Sequence, residues 1–232
     1  MSTPQVQALR LEVAGAGSVS ALALEPPGAT AALVLGHGAG AGMQHAFMQQ
    51  LAEGLAARGI ATLRYQFPFM ERSSRRVDPP ALAQATVRAA VAEAVRRWPQ
   101  RPLLAGGKSF GGRMTSQAEA AAPLEGVRGL VFVGWPLHPA GAPDVARAAH
   151  LDAVRCPMLF LQGTRDELAE LALISGVCAR LAPRATLVTF EAADHAFHVR
   201  AADVAAGAPN DEAVMRALLD ATAGWIERCP AR

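Results

Sequence analysis

The chain has 232 residues, of which 51% are hydrophobic and 18% are charged, and its formal net charge at neutral pH is +2. A chain of this length buries roughly 70–75% of its unfolded surface in one sizeable domain, and this composition excludes an intrinsically disordered protein. The small net charge gives no reason to expect nucleic acid or an anionic membrane as a partner.

The cysteines and the first residues indicate the cellular compartment. The three cysteines, Cys156, Cys178 and Cys229, include no C-x-x-C pair, so we expect neither a disulfide framework nor a zinc knuckle. Residues 1–10 lack the basic and apolar regions of a signal peptide, and no apolar run reaches the roughly 18 residues of a membrane span. These features predict a soluble cytoplasmic protein.

The first part of the chain predicts four strands and a helix. Residues 6–13 alternate apolar and polar side chains and, with residues 19–24, predict an antiparallel hairpin at a sheet edge. Residues 31–35 form a continuous apolar run, which is typical of a strand buried on both faces. Helical spacing of apolar side chains predicts a helix over residues 43–58, and the next strand covers residues 60–65.

The middle of the chain begins with an irregular, proline-containing stretch at residues 66–80. Its length predicts a functional loop or a small partial lid. An apolar stripe then predicts a helix over residues 81–98, and residues 103–106 predict a strand that enters a cluster of glycines.

The last part of the chain repeats the alternation of strand and helix. Strands are predicted over residues 127–133, 157–161 and 185–190, with helices over residues 168–181 and around Val214, Leu218 and Trp225. This alternation indicates an α/β fold with a mainly parallel sheet flanked by helices. We expect one domain over residues 1–232, without a large cap domain.

A match to G-x-S-x-G lies at residues 107–111, directly after the strand predicted at residues 103–106. Where this motif joins a strand to a helix, the serine is held in a tight turn that lifts its hydroxyl clear of the sheet. The flanking positions must be small, because side chains there would collide with neighbouring backbone. We therefore interpret Ser109 as a candidate nucleophile.

Two other interpretations of this segment compete. Gly-Lys-Ser also ends the P-loop, G-x-x-x-x-G-K-[ST], but the first glycine of that motif would fall on Pro102, so the spacing excludes it. A turn that is merely rich in glycine remains open. Lys108 is the only lysine in the chain, and its place beside Ser109 hints at a role that arginine would not fill.

Two further side chains follow predicted strands. In a parallel sheet the loops after the carboxyl ends of the strands share one edge, where ligands bind. Asp166 follows the strand predicted at residues 157–161, and His195 follows the last strand. The order Ser109, Asp166, His195 is the order of an α/β-hydrolase triad. In such a triad histidine accepts the serine proton, and the carboxylate fixes the histidine tautomer and stabilises the imidazolium.

Alternatives to these assignments stay open at the level of sequence. Asp166 could instead cap the following helix, because aspartate is favoured there. Asp144 is the alternative acid, since some hydrolases place it one strand earlier, and His198 is the alternative base. Asp194 is interpreted as ordering the loop beside His195. The remaining histidines show no metal-ligand spacing, so no metal is predicted.

Five segments together resemble one family. They are H-G-A-G-A-G-M at residues 37–43, F-P-F-M-E at residues 67–71, G-K-S-F-G-G-R at residues 107–113, G-T-R-D at residues 163–166 and D-H-A-F at residues 194–197. Over nearly its whole length the chain resembles the α/β-hydrolase superfamily, and more narrowly its small lidless branch near the dienelactone hydrolases. Eukaryotic relatives of this branch include a subunit of a chromatin acetyltransferase complex.

The resemblance implies a role for each site residue. Ser109 would be the nucleophile, Asp166 the acid and His195 the base, and the backbone N–H groups of Phe110 and Ala39 would form the oxyanion hole. No cofactor is implied.

We therefore expect a serine hydrolase that cleaves a small-molecule ester or thioester through an acyl-enzyme. A non-catalytic interaction module, as in the chromatin-linked relatives, and a peptidase or amidase are the alternatives. The stretches at residues 66–80 and 135–142 are expected to shape the pocket, with four aromatic or apolar side chains as its walls: Phe67, Phe69, Trp135 and Leu137.

Overall fold

An eight-stranded sheet runs through residues 5–229, the part of the chain that the computed structural model describes. Residues 1–4 and 230–232, the two ends of the predicted domain, lie outside the described residues. The strands are β1 (Val6–Val13), β2 (Gly17–Leu24), β3 (Ala31–Gly36), β4 (Ile60–Tyr65), β5 (Leu103–Lys108), β6 (Val127–Val133), β7 (Met158–Gly163) and β8 (Ala185–Phe190).

Helices cover both faces of this sheet. They are α1 (Ala46–Ala56), α2 (Pro68–Glu71), α3 (Pro80–Arg97), α4 (Phe110–Ala121), α5 (Leu171–Arg180), α6 (Ala201–Ala205) and α7 (Asp211–Arg228), with a 3-10 helix at Ala146–Ala153. Within residues 5–229, no helix has the length and apolar character needed to cross a membrane.

The order of the strands is β1-β2-β4-β3-β5-β6-β7-β8. The hairpin of β1 and β2 is antiparallel and lies at one edge, as predicted, and β2 joins β4 antiparallel. All other neighbouring strands are parallel. The carboxyl ends of β3, β5, β7 and β8 therefore meet at one edge of the sheet, where Gly36 pairs with Gly107 and Gly163 pairs with Phe190. The predicted fold class is confirmed.

Both faces of the central strands are buried, which explains their unbroken apolar sequences. In β3, Ala32 and Val34 belong to the core that contains α3 and α4, whereas Leu33 and Leu35 belong to the core that contains α1 and α7. Successive strand side chains point to opposite faces, so a strand between two helical layers needs apolar residues at every position.

Some predicted boundaries move for local reasons. The helix predicted over residues 43–58 begins at Ala46, because the side chain of His45 accepts the N–H of Phe47 and caps the first turn. The helix predicted over residues 168–181 begins at Leu171. The short helices α2 and α6 and the 3-10 helix were not predicted, because elements of so few residues show no usable hydrophobic period.

The stretch at residues 66–80 is fastened to the rest of the fold. Glu71 forms an ion pair of 2.7 Å with Arg10 and accepts the hydroxyl of Ser20, which joins α2 to the edge hairpin. The buried carboxylate of Asp78 accepts the N–H of Phe69 at 2.9 Å. These contacts hold the stretch against the sheet on its hairpin side.

Candidate active site

Ser109 occupies the turn between the end of β5 and the start of α4. Its backbone φ is +48° and its ψ is −111°, a conformation that non-glycine residues seldom adopt. Such strain persists only where the surrounding structure enforces it, and it is concentrated at functional sites. The turn is the strand-to-helix elbow predicted from G-x-S-x-G.

Two glycines of that motif allow the turn to pack against β3. A Cβ atom at Gly107 would lie 2.2 Å from the carbonyl oxygen of Gly36, and one at Gly111 would lie 2.4 Å from the same carbonyl group. Side chains cannot be placed at those distances. The motif therefore brings the serine turn directly against the end of β3, where the glycine-rich loop at residues 36–42 begins.

We expect Gly111→Ala to lower the free energy of unfolding by about 3 kcal/mol, because the added methyl group would overlap backbone that cannot move without displacing β3. Gly40→Ala is the matched control, since a Cβ there meets no atom within 4 Å. Urea denaturation of both variants checks the expectation. Equal stability of the two would contradict this account of the elbow.

The three side chains that the sequence predicts to meet lie in one hydrogen-bonded row. Nε2 of His195 is 2.9 Å from Oγ of Ser109, and Nδ1 of His195 is 2.7 Å from Oδ2 of Asp166. The imidazole is 20% exposed, whereas the side chain of Asp166 is fully buried. This arrangement can move a proton from the serine hydroxyl to the imidazole while the carboxylate stabilises the resulting charge.

The carboxylate of Asp166 has two further donors. Its Oδ1 accepts the N–H of Leu168 at 2.8 Å, and its Oδ2 accepts the side-chain amide of Gln162. Oε1 of Gln162 in turn accepts the N–H of Trp135 at 3.0 Å, which orients the amide nitrogen toward the carboxylate. Asp166 thus orders the turn before α5, whose cap residue is Glu170, and bonds to the imidazole as well.

Gln162 was missed at the sequence level, although one signal was present. It is a fully buried polar residue within the otherwise apolar strand β7. A buried polar side chain requires hydrogen-bond partners, so a glutamine one residue before the G-T-R-D segment points to a group that it must hold.

The alternative acid and the alternative base have other partners. Oδ1 of Asp144 accepts the N–H groups of Val145 and Ala146 at the start of the 3-10 helix. His198 is exposed and pairs with Asp211 of α7 at 2.8 Å, and this hydrogen bond raises the pKa of His198 above its usual value.

Asp194 immediately precedes His195, but the carboxylate that bonds to the imidazole is that of Asp166. Oδ1 of Asp194 accepts the N–H groups of Ala196 at 2.7 Å and His198 at 2.9 Å. Asp194 therefore orders the loop that carries the imidazole, in agreement with its interpretation from the sequence.

Two elements that carry backbone N–H groups adjoin Ser109, the glycine-rich loop and the start of α4. Gly38 lies beside Ser109, since a Cβ placed there would be 3.8 Å from the serine Cβ. Phe110 is the first residue of α4, where N–H groups have no intrahelical acceptor and carry partial positive charge. Within residues 5–229, the N–H groups of Phe110 and Ala39 donate to no backbone or side-chain acceptor. Both are free to bind an anionic oxygen.

His37 supports this loop as a neutral imidazole. It is fully buried, with Nδ1 donating to the carbonyl of Gly38 at 2.7 Å and Nε2 accepting the N–H of Phe67 at 3.0 Å. These partners define the tautomer. Burial lowers the pKa of His37 to about 4, although the hydrogen bond to Gly38 opposes the shift.

His37 should make the protein acid-sensitive. The unfolded chain binds a proton at this residue below about pH 6.5, but the folded chain does so only near pH 4, so stability falls as pH decreases through that window, by roughly 3 kcal/mol in total. We expect His37→Gln to have a shallower pH dependence of unfolding free energy between pH 6.5 and 4. His45→Gln, at an exposed histidine, should keep the wild-type slope. Identical slopes for all three proteins would contradict the assignment.

The cavity at the triad has a volume of about 360 Å³. Ser109 and His195 lie in its wall. The rest of the wall consists of the glycine-rich loop and of residues from α1, β5 and two other loops: Gly38, Ala39, Gly40, Ala41, His45, Phe47, Met48, Lys108, Leu168 and Ala196. A second groove of about 550 Å³ shares Phe47 and Ala196 with this cavity and extends along α1 and α7.

The predicted pocket walls are wrong. Phe67, Phe69, Trp135 and Leu137 are fully buried and belong to the hydrophobic core, so none of them lines the cavity. The rings of Phe67 and Phe69 pack around Phe110, at 5.1 Å and 5.9 Å between ring centres. Both rings therefore pack against the residue that follows Ser109 in the elbow.

The other two predicted wall residues also face inward. The ring of Trp135 packs near Phe132 and Phe160, with ring centres 6.5 Å and 6.3 Å away. Its backbone N–H is the group that orients Gln162. Trp135 therefore contributes to the site indirectly, through the amide that bonds to Asp166.

Residues 29–227 match the sequence family described as an alpha/beta hydrolase domain. The chain therefore belongs to the α/β-hydrolase family, and the predicted resemblance to that superfamily is confirmed. The relation to a chromatin complex subunit stays a prediction.

Solved structures of several hydrolases share this fold. A dienelactone hydrolase from Anabaena variabilis is 22% identical with a TM-score of 0.78, covering 99% of this chain and 100% of that one. A serine hydrolase without a lid from Xanthomonas campestris is 23% identical with a TM-score of 0.71, covering 98% and 97%. An esterase from Pyrococcus furiosus is 14% identical with a TM-score of 0.73, covering 98% and 94%. At these identities the likeness concerns the fold.

Proposed function

We propose that this protein is a serine hydrolase that cleaves a small-molecule carboxylic ester or thioester through an acyl-enzyme. The observation that carries the proposal is the imidazole of His195, which lies within hydrogen-bond distance of both the Ser109 hydroxyl and the Asp166 carboxylate. A serine hydroxyl becomes an effective nucleophile only when a base is positioned to take its proton.

The reaction proceeds in two halves. Oγ of Ser109 attacks the acyl carbon while Nε2 of His195 takes its proton, and the tetrahedral intermediate collapses when His195 gives that proton to the leaving alcohol or thiol. Water then attacks the acyl group, again losing its proton to His195, and the carboxylic acid leaves as Oγ recovers a proton. Asp166 holds the tautomer that presents Nε2 to the serine and stabilises the imidazolium in both halves.

The oxyanion of each tetrahedral intermediate is assigned to the N–H groups of Ala39 and Phe110. Both groups are without an acceptor among the described residues, and Phe110 adds the positive end of α4. One such donor contributes about 2.7–4 kcal/mol to stabilisation of the transition state, so the pair provides a large share of the rate.

The cavity favours compact substrates. Small residues of the glycine-rich loop form one side, and Phe47, Met48 and Leu168 offer apolar contact to an acyl or alcohol group. The open shape suits short, accessible groups. The esterase and dienelactone hydrolase of similar fold are named for ester-type reactions, which supports the same class here.

A panel of short p-nitrophenyl esters, acyl thioesters and aminoacyl amides tests the proposal. We expect measurable kcat/KM for short esters or thioesters, at least tenfold above that for amides, because an amide leaving group is harder to expel. Preferred cleavage of amides would instead support a peptidase or amidase. No turnover of any class, together with no reaction of Ser109 with a fluorophosphonate, would support a non-catalytic interaction module.

A further inference from the structure

Lys108 is the only lysine of the chain and immediately precedes Ser109 at the end of β5. Its side chain is partly buried and lines the catalytic cavity. The ammonium group donates a hydrogen bond to the backbone carbonyl of His195. The two consecutive residues of the elbow therefore both bind His195, Ser109 through the imidazole and Lys108 through the backbone.

Aromatic rings and a glycine form the surroundings of this ammonium group. Nζ lies 5.3 Å from the ring centre of Phe197 and 5.9 Å from that of Phe47, and these two rings are stacked on one another. Ring faces attract a cation. Gly134, with a φ of +64°, lies on another side of the ammonium group. A side chain there would collide with the ammonium group, because its Cβ would lie 2.8 Å from Nζ. Three separate parts of the chain thus accommodate one ammonium group.

No carboxylate forms an ion pair with Lys108 within residues 5–229. Desolvation of a cation that has no ion-pair partner is costly, and the contacts that compensate it here are the carbonyl of His195 and the two aromatic rings. The bonds already described for the loop of His195 lie mostly within that loop. Lys108 instead connects the loop of His195 to the elbow. Lys108 is the residue immediately before Ser109, so the hydrogen bond lies close to the nucleophile in the chain.

We propose that Lys108 is a positioning residue that fixes the distance between the His195 imidazole and the Ser109 hydroxyl by holding the His195 carbonyl. This inference rests on the proposed function and adds a residue to the machinery of the same site. The triad needs such a brace because His195 sits on a loop after the edge strand β8, where backbone is held on one side only.

The proposal implies a distinct dependence on pH. Burial lowers the pKa of Lys108 to about 8, opposed by the carboxylates of Asp166 and Asp194. The other titratable groups that face this cavity are His195 itself and His45 at the start of α1. Above about pH 8 the ammonium loses its charge, and its hydrogen bond to the carbonyl weakens. The brace therefore weakens as pH rises through this value.

The same shift sets the expected effect on stability. The folded protein holds this proton less tightly than the unfolded chain, whose lysine pKa is about 10.4, so the protonated side chain disfavours folding at neutral pH. This contribution to stability should therefore rise as pH increases through about 8 in wild type and be missing in Lys108→Met.

The test compares Lys108→Met and Lys108→Arg with wild type in kcat/KM for p-nitrophenyl acetate from pH 6 to 10. Arg88→Met is the matched control, because Arg88 also donates to backbone carbonyls, those of Ala118 and Ala122, away from the cavity. We expect Lys108→Met to lose roughly 10- to 100-fold in kcat/KM at pH 7 and Arg88→Met to keep the wild-type value. Lys108→Arg should retain more activity than Lys108→Met and lack the decline near pH 8.

A second readout does not depend on turnover. The Nδ1 proton of His195, shared with Asp166, gives a low-field proton resonance that we expect in wild type and Lys108→Arg but broadened or absent in Lys108→Met. If neither wild type nor the variants hydrolyse any ester, the resonance still shows whether Lys108 positions the imidazole of His195. Wild-type kcat/KM, pH profile and resonance in Lys108→Met would overturn the proposal.

Discussion

Replacement of Ser109 by alanine is expected to reduce kcat for p-nitrophenyl acetate by roughly 10⁶-fold, the loss that follows removal of the nucleophile from a serine triad. The remaining groups can bind a substrate and polarise its carbonyl, but no acyl-enzyme can form. Alanine removes one oxygen from a turn whose conformation is enforced by glycine packing, so the variant should fold as wild type does. Initial rates with short esters, together with a thermal melt, check both parts.

The chain offers a matched control for this substitution. Oγ of Ser116 lies 2.8 Å from Nε2 of His150, which makes a second serine–histidine pair. No carboxylate side chain bonds to His150 in the described part of the chain, and its serine lies inside α4. Ser116→Ala should keep wild-type kcat. Comparable losses in Ser109→Ala and Ser116→Ala would contradict the assignment of the nucleophile.

Asp166→Asn is expected to lower kcat by roughly 10⁴-fold, because an amide in place of the carboxylate favours the wrong histidine tautomer and cannot stabilise the imidazolium. Asn also places an NH₂ group among the donors of His195, Gln162 and Leu168, so some loss of stability should accompany the loss of rate. Steady-state kinetics on protein shown to be folded by circular dichroism separate the two effects.

Asp144→Asn provides the comparison for the acid. Asp144 is the residue that sequence reasoning kept as the alternative, and its exposed carboxylate accepts two backbone N–H groups at the start of the 3-10 helix. Its replacement should change kcat by less than about twofold and cost at most about 1 kcal/mol of stability. A large kinetic effect at Asp144 with a small one at Asp166 would reverse the assignment.

Much of the site geometry could be predicted because topology decides it. Once the alternation of strands and helices indicates a parallel sheet, the ends of β5, β7 and β8 must lie at one edge. Ser109, Asp166 and His195 each follow one of those strands, so their convergence depends on chain order and needs no knowledge of side-chain packing. The elbow could be predicted as well, since its glycines are required by sterics.

The walls of the cavity could not be predicted, because they depend on the direction in which side chains point. Phe67 and Trp135 each lie two residues after a strand that ends at the same edge of the sheet, yet the side chains of both are fully buried in the core. Phe47 and Met48, at the capped start of α1, line the cavity instead. Hydrophobic periodicity in the sequence does not show which side chains of a helix start line a cavity.

Gln162 and Lys108 show a different limit. Gln162 bonds to the carboxylate of Asp166, four residues later in the chain, and Lys108 bonds to the carbonyl of His195 on a loop that is distant in sequence. The residue types were informative, a polar side chain in a buried strand and a single lysine beside the serine. Their partners became identifiable only when the folded arrangement of the loops was known.

Mass spectrometry of the folded protein after reaction with a fluorophosphonate tests the central claim most directly. Trypsin cleaves after Lys108 and Arg113, so residues 109–113 form one peptide in which Ser109 is the sole hydroxyl-bearing residue. We expect a single stoichiometric adduct on that peptide, absent in Ser109→Ala and formed far more slowly in Asp166→Asn. No adduct, or an adduct on another peptide such as the one that contains Ser116, would contradict the assignment of a serine nucleophile activated by His195.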